Sequence, residues 1–299
     1  MPLPIQRASN AEHAFVIDLM TTFRREKFGL RGWSHFLRRS WEMSWNTSNA
    51  NPSLKRSWGR VTLFIMALAV VIAGASFFFE GSGIALHLLP GFLFCVGWQQ
   101  SDLFWHLGLN RQVQTGKLLS TVGLATVCTG LRGVAASFLL GRLGGGVSTP
   151  SLIVLFVFLV GIVTDILDGM IARWTLRETK LGQIADGEAD FCLYLAVTMI
   201  LIQNGILPLW LGLVMLLRFL IPLVAALGSY FWLARPVRFG STIWGKFAGV
   251  AQALFFIVLL TPGQISMSVH FASMPLLLIT LILLGVAPVA QIVENVRTG

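Results

Sequence analysis

Asp165, Asp168, Asp186 and Asp190 are the residues of this chain whose types and spacing most clearly point to chemistry. Apolar stretches at 150–163 and 191–202 flank them. Charge at membrane depth costs a few kcal/mol per residue on insertion scales, so it is rarely kept without a function. Asp165 and Asp168 are three apart, and Asp186 and Asp190 four apart, so each pair shares one helix face. A turn at 173–181 would make the two helices antiparallel neighbours and let all four carboxylates converge. Such a cluster repels itself unless hard cations sit within it, and all-oxygen ligation suits Mg2+, Mn2+ or Ca2+ and not zinc. Two divalent ions can orient and neutralise a diphosphate for displacement at phosphorus. Gly169 and Ala172 leave room against the helix, and Arg173, one turn past Gly169, can grip phosphate as a rigid fork.

The elements that must position these residues are membrane helices. Of the 299 residues, 55% are hydrophobic and 12% charged, about half the charged fraction of a soluble domain. Apolar runs at 61–79, 84–103, 118–140, 150–170, 185–203, 209–233, 246–260 and 274–293 predict eight spans. Pro90 and Gly91 permit a kink in the second. Cys95, Cys128 and Cys192 lie in apolar segments without metal-ligand spacing and read as small core residues.

The net charge of +9 is distributed as a membrane-orientation signal, which argues against a nucleic-acid partner. The basic loops hold Arg111 and Lys117; Arg173, Arg177 and Lys180; Arg235, Arg238 and Lys246; and Arg297, on the same side as the basic N-terminus. The positive-inside rule makes this side cytoplasmic, with both termini and the aspartates on it, as in a bacterial-type inner membrane. Residues 1–60 show no signal-peptide pattern. Ala14, Phe15, Ile17, Leu19, Met20 and Phe23 can line one helix face, and Trp33, Phe36, Leu37, Trp41 and Trp45 continue an aromatic stripe among arginines. Two readings stand for this segment: an interfacial helix on anionic lipid, or a cytoplasmic extension ordered by its neighbours.

The string from Asp165 to Asp190, Asp-x2-Asp-Gly-x2-Ala-Arg-x8-Gly-x3-Asp-x3-Asp, resembles the signature of the CDP-alcohol phosphotransferases, with every defined position filled. Thr129 and Arg132 resemble the Thr-x-x-Arg of that family's first core helix, where Thr126 stands in place of the usual Asn. Gly245, Lys246 and Gln252 resemble the start of the fifth core helix in phosphatidylglycerophosphate-synthase-like members. The residues after Asp186 (Gly187, Glu188, Ala189, Asp190, Phe191) depart from the Pro-Leu-Ala-Asp-Lys of those synthases. The resemblance runs from about residue 118 to the C-terminus.

The resemblance implies an all-α polytopic membrane protein with a six-helix core, usually a homodimer. Here two extra transmembrane helices and a basic segment would precede the core: 1–60 the N-terminal segment, 61–110 the extra pair, 111–299 the catalytic domain. It implies that Asp165, Asp168 and Asp186 bind Mg2+ or Mn2+, two ions in all, and that Asp190 completes the metal site or serves as base. Gly169, Ala172, Arg173 and Gly182 would line the CDP site, with Thr129 nearby. The implied reaction moves a phosphatidyl group from CDP-diacylglycerol to a small polar alcohol, releasing CMP. Two alternatives stand: a CDP-amino-alcohol giving its head group to a lipid alcohol, and a membrane cation transporter. Against the transporter, the acids gather at one membrane face and adjoin Arg173.

Arg132, Arg218 and Lys246 could bind a phosphorylated acceptor. For the two arginines, snorkelling or helix pairing is an equal alternative; Lys246 could equally anchor its helix at the interface. Glu188 lies off the face shared by Asp186 and Asp190 and reads as structural. His106 reads as an interfacial residue that Asp102 could pair with, unless Asp102 pairs with Arg111.

Overall fold

The computed structural model describes residues 29–147, 149–233 (side chains through 224), 243–261, 274–287 and 289–290. The apolar face at residues 14–23, and Arg235, Arg238 and Arg297, lie outside them. The described chain is all helical apart from turns and two isolated β-bridges. Its helices are α1 (Leu30–Ala50), α2 (Pro52–Glu80), α3 (Ser82–Trp105), α4 (Leu124–Gly144), α5 (Ser151–Thr175), α6 (Lys180–Gln203), α7 (Leu209–Leu233), α8 (Ile243–Leu260) and α9 (Met274–Ala287).

Among the described residues five helices, α2, α3, α4, α5 and α8, are long and apolar enough to cross a membrane. That is the pattern of a multi-pass membrane protein. Three acids, Asp186, Glu188 and Asp190, lower the hydropathy of α6. The described apolar parts of α7 and α9, Leu209–Val224 and Met274–Ala287, are shorter.

Helix α4 is the hub, packing against α3 on one side and against α5 and α6 on the other. The contact with α3 is backbone on backbone. A Cβ on Gly141 would lie 2.7 Å from the Phe92 nitrogen, and one on Gly145 would lie 2.3 Å from the His87 carbonyl oxygen. Any side chain there would force the helices apart. Below this crossing, Phe158, Tyr194 and Phe256 join α5, α6 and α8 in one aromatic core.

Three helix starts differ from the hydropathy reading. The third apolar run begins at 118, but α4 starts at Leu124. Residues 110–121 fold as a tight loop: Arg111 bridges Leu118, and buried Asn110 donates to the carbonyls of Leu119 and Thr121. Helix α6 begins at Lys180, earlier than residue 185, because Thr179 caps it by accepting from the Gly182 amide at 3.0 Å. Helix α2 begins at Pro52, well before residue 61; proline at a first helical position costs no hydrogen bond.

The polar stretch 110–116 behaves as a fastened strap. Gln112 bridges Thr179, the Val113 amide donates to the Glu178 carbonyl, and the Lys180 amide donates to the Arg111 carbonyl. The strap therefore holds the α5–α6 turn that presents the aspartates.

Candidate active site

The turn at 176–179 reverses the chain after α5. Leu176 takes a left-handed conformation (φ 51°) that ends α5, and the Arg177 amide donates to the Ala172 carbonyl. The C-terminal end of α5 and the N-terminal end of α6 thus lie together, and α4 passes beside both. Asp165 and Asp168 come from α5, Asp186 and Asp190 from α6, and Arg132 from α4.

All four carboxylates converge on the Arg132 guanidinium, which is fully buried (0% exposed). Nη1 lies 3.0 Å from Asp165 Oδ1 and also pairs with Asp190. Nη2 lies 2.9 Å from Asp186 Oδ1 and also pairs with Asp168. Thr129, one turn before Arg132, donates its hydroxyl to Asp168 Oδ2 at 2.9 Å. Four carboxylates against one guanidinium leave up to three negative charges uncompensated.

The donor set fits hard divalent cations. One oxygen from each of Asp165, Asp168 and Asp186 lies within 4.8 Å of the others. Asp186 Oδ1 is buried and, despite its closeness to Arg132, makes no hydrogen bond. A buried oxygen without a donor is costly, and a cation would satisfy it.

Around the carboxylates the small residues keep space. A Cβ on Gly169 would meet the Arg173 guanidinium at 3.4 Å, so Arg173 folds back along its own helix over Gly169. Ala172 is half-buried and Arg173 exposed at the end of α5. A Cβ on Gly182 would lie 3.2 Å from Thr179 Oγ1 and 3.7 Å from Thr126 Oγ1, which puts Thr126 beside the start of α6.

Arg218 and Lys246 are not among the groups that hold the carboxylates. Arg218 donates to Gln252 Oε1 at 3.1 Å and stacks over the rings of Tyr194 (5.0 Å) and Phe219 (4.5 Å). Lys246 is exposed near the start of α8.

Arg132, which the sequence leaves between acceptor binding and snorkelling or helix pairing, stands at the centre of the carboxylates. The spacing Thr129-x-x-Arg132 was the available signal; its register against α5 and α6 was not. Asp102 pairs with His106 (3.1 Å), while Arg111 turns to the Gly116 carbonyl. Burial pulls the His106 pKa down, but the hydrogen bond and charge of Asp102 outweigh it and the net shift is upward.

A family model described as CDP-alcohol phosphatidyltransferase matches residues 122–286. That is more than half of the 299 residues, and the chain belongs to this family. It is accordingly a transferase of substituted phosphate groups. A search of curated proteins and a search of solved structures each returned no match.

Proposed function

We propose that this member of the CDP-alcohol phosphatidyltransferase family transfers phosphatidate from CDP-diacylglycerol to a small polar alcohol and releases CMP. The observation that carries the reading is the convergence of Asp165, Asp168, Asp186 and Asp190 beside Gly169 and Arg173, at one end of the helix bundle. Asp165, Asp168 and Asp186, with Asp190 as a further ligand or as base, would hold two Mg2+ or Mn2+ ions. Bound there, the ions would neutralise the diphosphate and the carboxylates together.

The protein's own groups account for the remaining steps. Arg173 pairs with donor phosphate, Gly169, Ala172 and Gly182 admit the nucleotide, and Thr129 orients Asp168. The acceptor hydroxyl oxygen bonds to the phosphorus of the phosphatidyl group. The bond from that phosphorus to the bridging oxygen breaks, and CMP leaves with the electron pair. The hydroxyl proton passes to an Asp190 carboxylate oxygen. Arg218 and Lys246 are the candidates for acceptor recognition. Arg132 would reach an acceptor only by giving up its carboxylates.

The same reading divides the chain at 60 and 110, with a catalytic domain over 111–299 forming a six-helix core after an extra helix pair. It puts the site and both termini on the cytoplasmic face, and it takes the functional unit as a homodimer. The test is CMP release by purified protein from CDP-diacylglycerol with a panel of alcohols, with and without chelator. The expected result is release that depends on one alcohol and on Mg2+ or Mn2+. Turnover in excess EDTA would overturn the metal assignment. Release only from CDP-amino-alcohols with diacylglycerol would overturn the donor.

A further inference from the structure

A second group of ligating side chains comes together on the opposite side of α6. Asp102 and His106 stand four apart at the C-terminal end of α3, with His106 Nδ1 3.1 Å from Asp102 Oδ2. Glu188 reaches them from α6, and one ligand atom from each of Asp102, His106 and Glu188 lies within 4.8 Å of the others. Glu188 is two residues from Asp186 and two from Asp190. At about 100° per residue that turns it some 200° away from the catalytic carboxylates. One helix therefore carries two ligand sets, back to back.

The two sets differ in chemistry. The catalytic set is all oxygen, whereas this one offers an imidazole nitrogen and two carboxylates. Nitrogen donors favour borderline ions such as Zn2+, while Mg2+ prefers oxygen and retains its water. Charge is consistent with this: once the imidazole has released its proton to bind, the two carboxylates match a divalent ion. Three protein ligands with Glu188 on the exposed side leave a fourth position for water, as in open zinc sites. Asp102 and His106 also lie outside the matched segment 122–286, while Glu188 lies inside it. A shared ion would join the two parts of the chain at the end where residues 110–113 are already strapped to the α5–α6 turn.

We propose that Asp102, His106 and Glu188 form a second metal site, selective for a Zn2+-type ion over Mg2+, that ties α3 to the signature helix α6. The assignment does not depend on the donor, the acceptor or the base.

The test uses the full chain in detergent with saturating Mg2+ present, and Co2+ as the spectroscopic stand-in for Zn2+. The expected result is one equivalent of Co2+ with visible ligand-field bands, displaced by Zn2+ and retained in Asp168→Asn. Glu188→Gln and His106→Asn should each weaken Co2+ binding by at least about ten-fold, since even loss of a residue that only supports a ligand costs that much. Zn2+ should also raise the melting temperature of the wild type and not of Glu188→Gln. Glu188 is exposed, so this variant decides the matter even if His106→Asn does not fold. Bands unchanged in Glu188→Gln, bands lost in Asp168→Asn, or no Co2+ binding in the wild type would each overturn the proposal.

Discussion

Helix α4 carries two buried arginines, Arg132 and Arg142, which are 0% and 1% exposed, and their surroundings differ in one respect that separates site from scaffold. Among the described residues Arg142 is seen to pair with one acid, Glu80. Its Nη1 lies 2.7 Å from Glu80 Oε1 and 2.8 Å from Oε2, its Nε donates to Thr149, and its guanidinium sits over Phe138. One positive charge faces one negative charge, and the pair fastens the end of α2 to the end of α4. Arg132 faces four acids from two helices. A balanced buried pair is complete as it stands; an unbalanced one still calls for cations. On this view a mutation beside Arg132 should change activity far more than stability, and one beside Arg142 the reverse.

The largest effect expected is at Asp190. As the proposed base, Asp190→Asn should lower CMP release by roughly 100- to 10,000-fold while CDP-diacylglycerol still binds with near wild-type affinity. Loss of nucleotide or metal binding in that variant would make Asp190 a metal ligand instead. Next come Asp168→Asn and Asp186→Asn, which should each cost about 100- to 1,000-fold in turnover, as loss of electrostatic stabilisation does. The metal-free proteins should melt no lower than wild type, because each substitution removes one charge from a self-repelling cluster. A variant that keeps more than about a tenth of the rate would contradict that expectation and break the comparison on the Arg132 side.

On the other side, Glu80→Gln should cost about 3 kcal/mol of stability, since it leaves the Arg142 charge buried without its acid. CMP release per folded molecule should stay at the wild-type level. A melting temperature unchanged by Glu80→Gln would show that balance alone does not mark a structural pair. The smallest effect expected is at Arg218. If the acceptor carries phosphate, Arg218→Ala should raise its KM about ten-fold and leave the donor KM alone, as removal of one charged hydrogen bond does. Wild-type kinetics in this variant would favour an uncharged acceptor.

Much of this arrangement is written in the sequence, because its causes are local. Apolar runs long enough for a bilayer locate the helices, and i,i+3 and i,i+4 spacing puts Asp165 with Asp168 and Asp186 with Asp190. The polar residues at 173–181 announce the turn that makes the pairs meet. Where local cues mislead, the error is at helix ends. Leu118 and Leu119 read as the start of a span, yet Asn110 draws their backbone into a loop.

What the tertiary structure alone decides is which faces confront one another. The register of α4 against α5 and α6 brings Arg132, and no other described cation, into the midst of the carboxylates. The packing of α3 along α4 leaves its C-terminal end where Asp102 and His106 lie beside Glu188 of α6. Helical periodicity tells which residues share a face of their own helix. It carries no information on which helix that face will meet, because that choice depends on contacts between helices, such as Gly141 against Phe92 and Gly145 against His87, that no single helix's pattern contains.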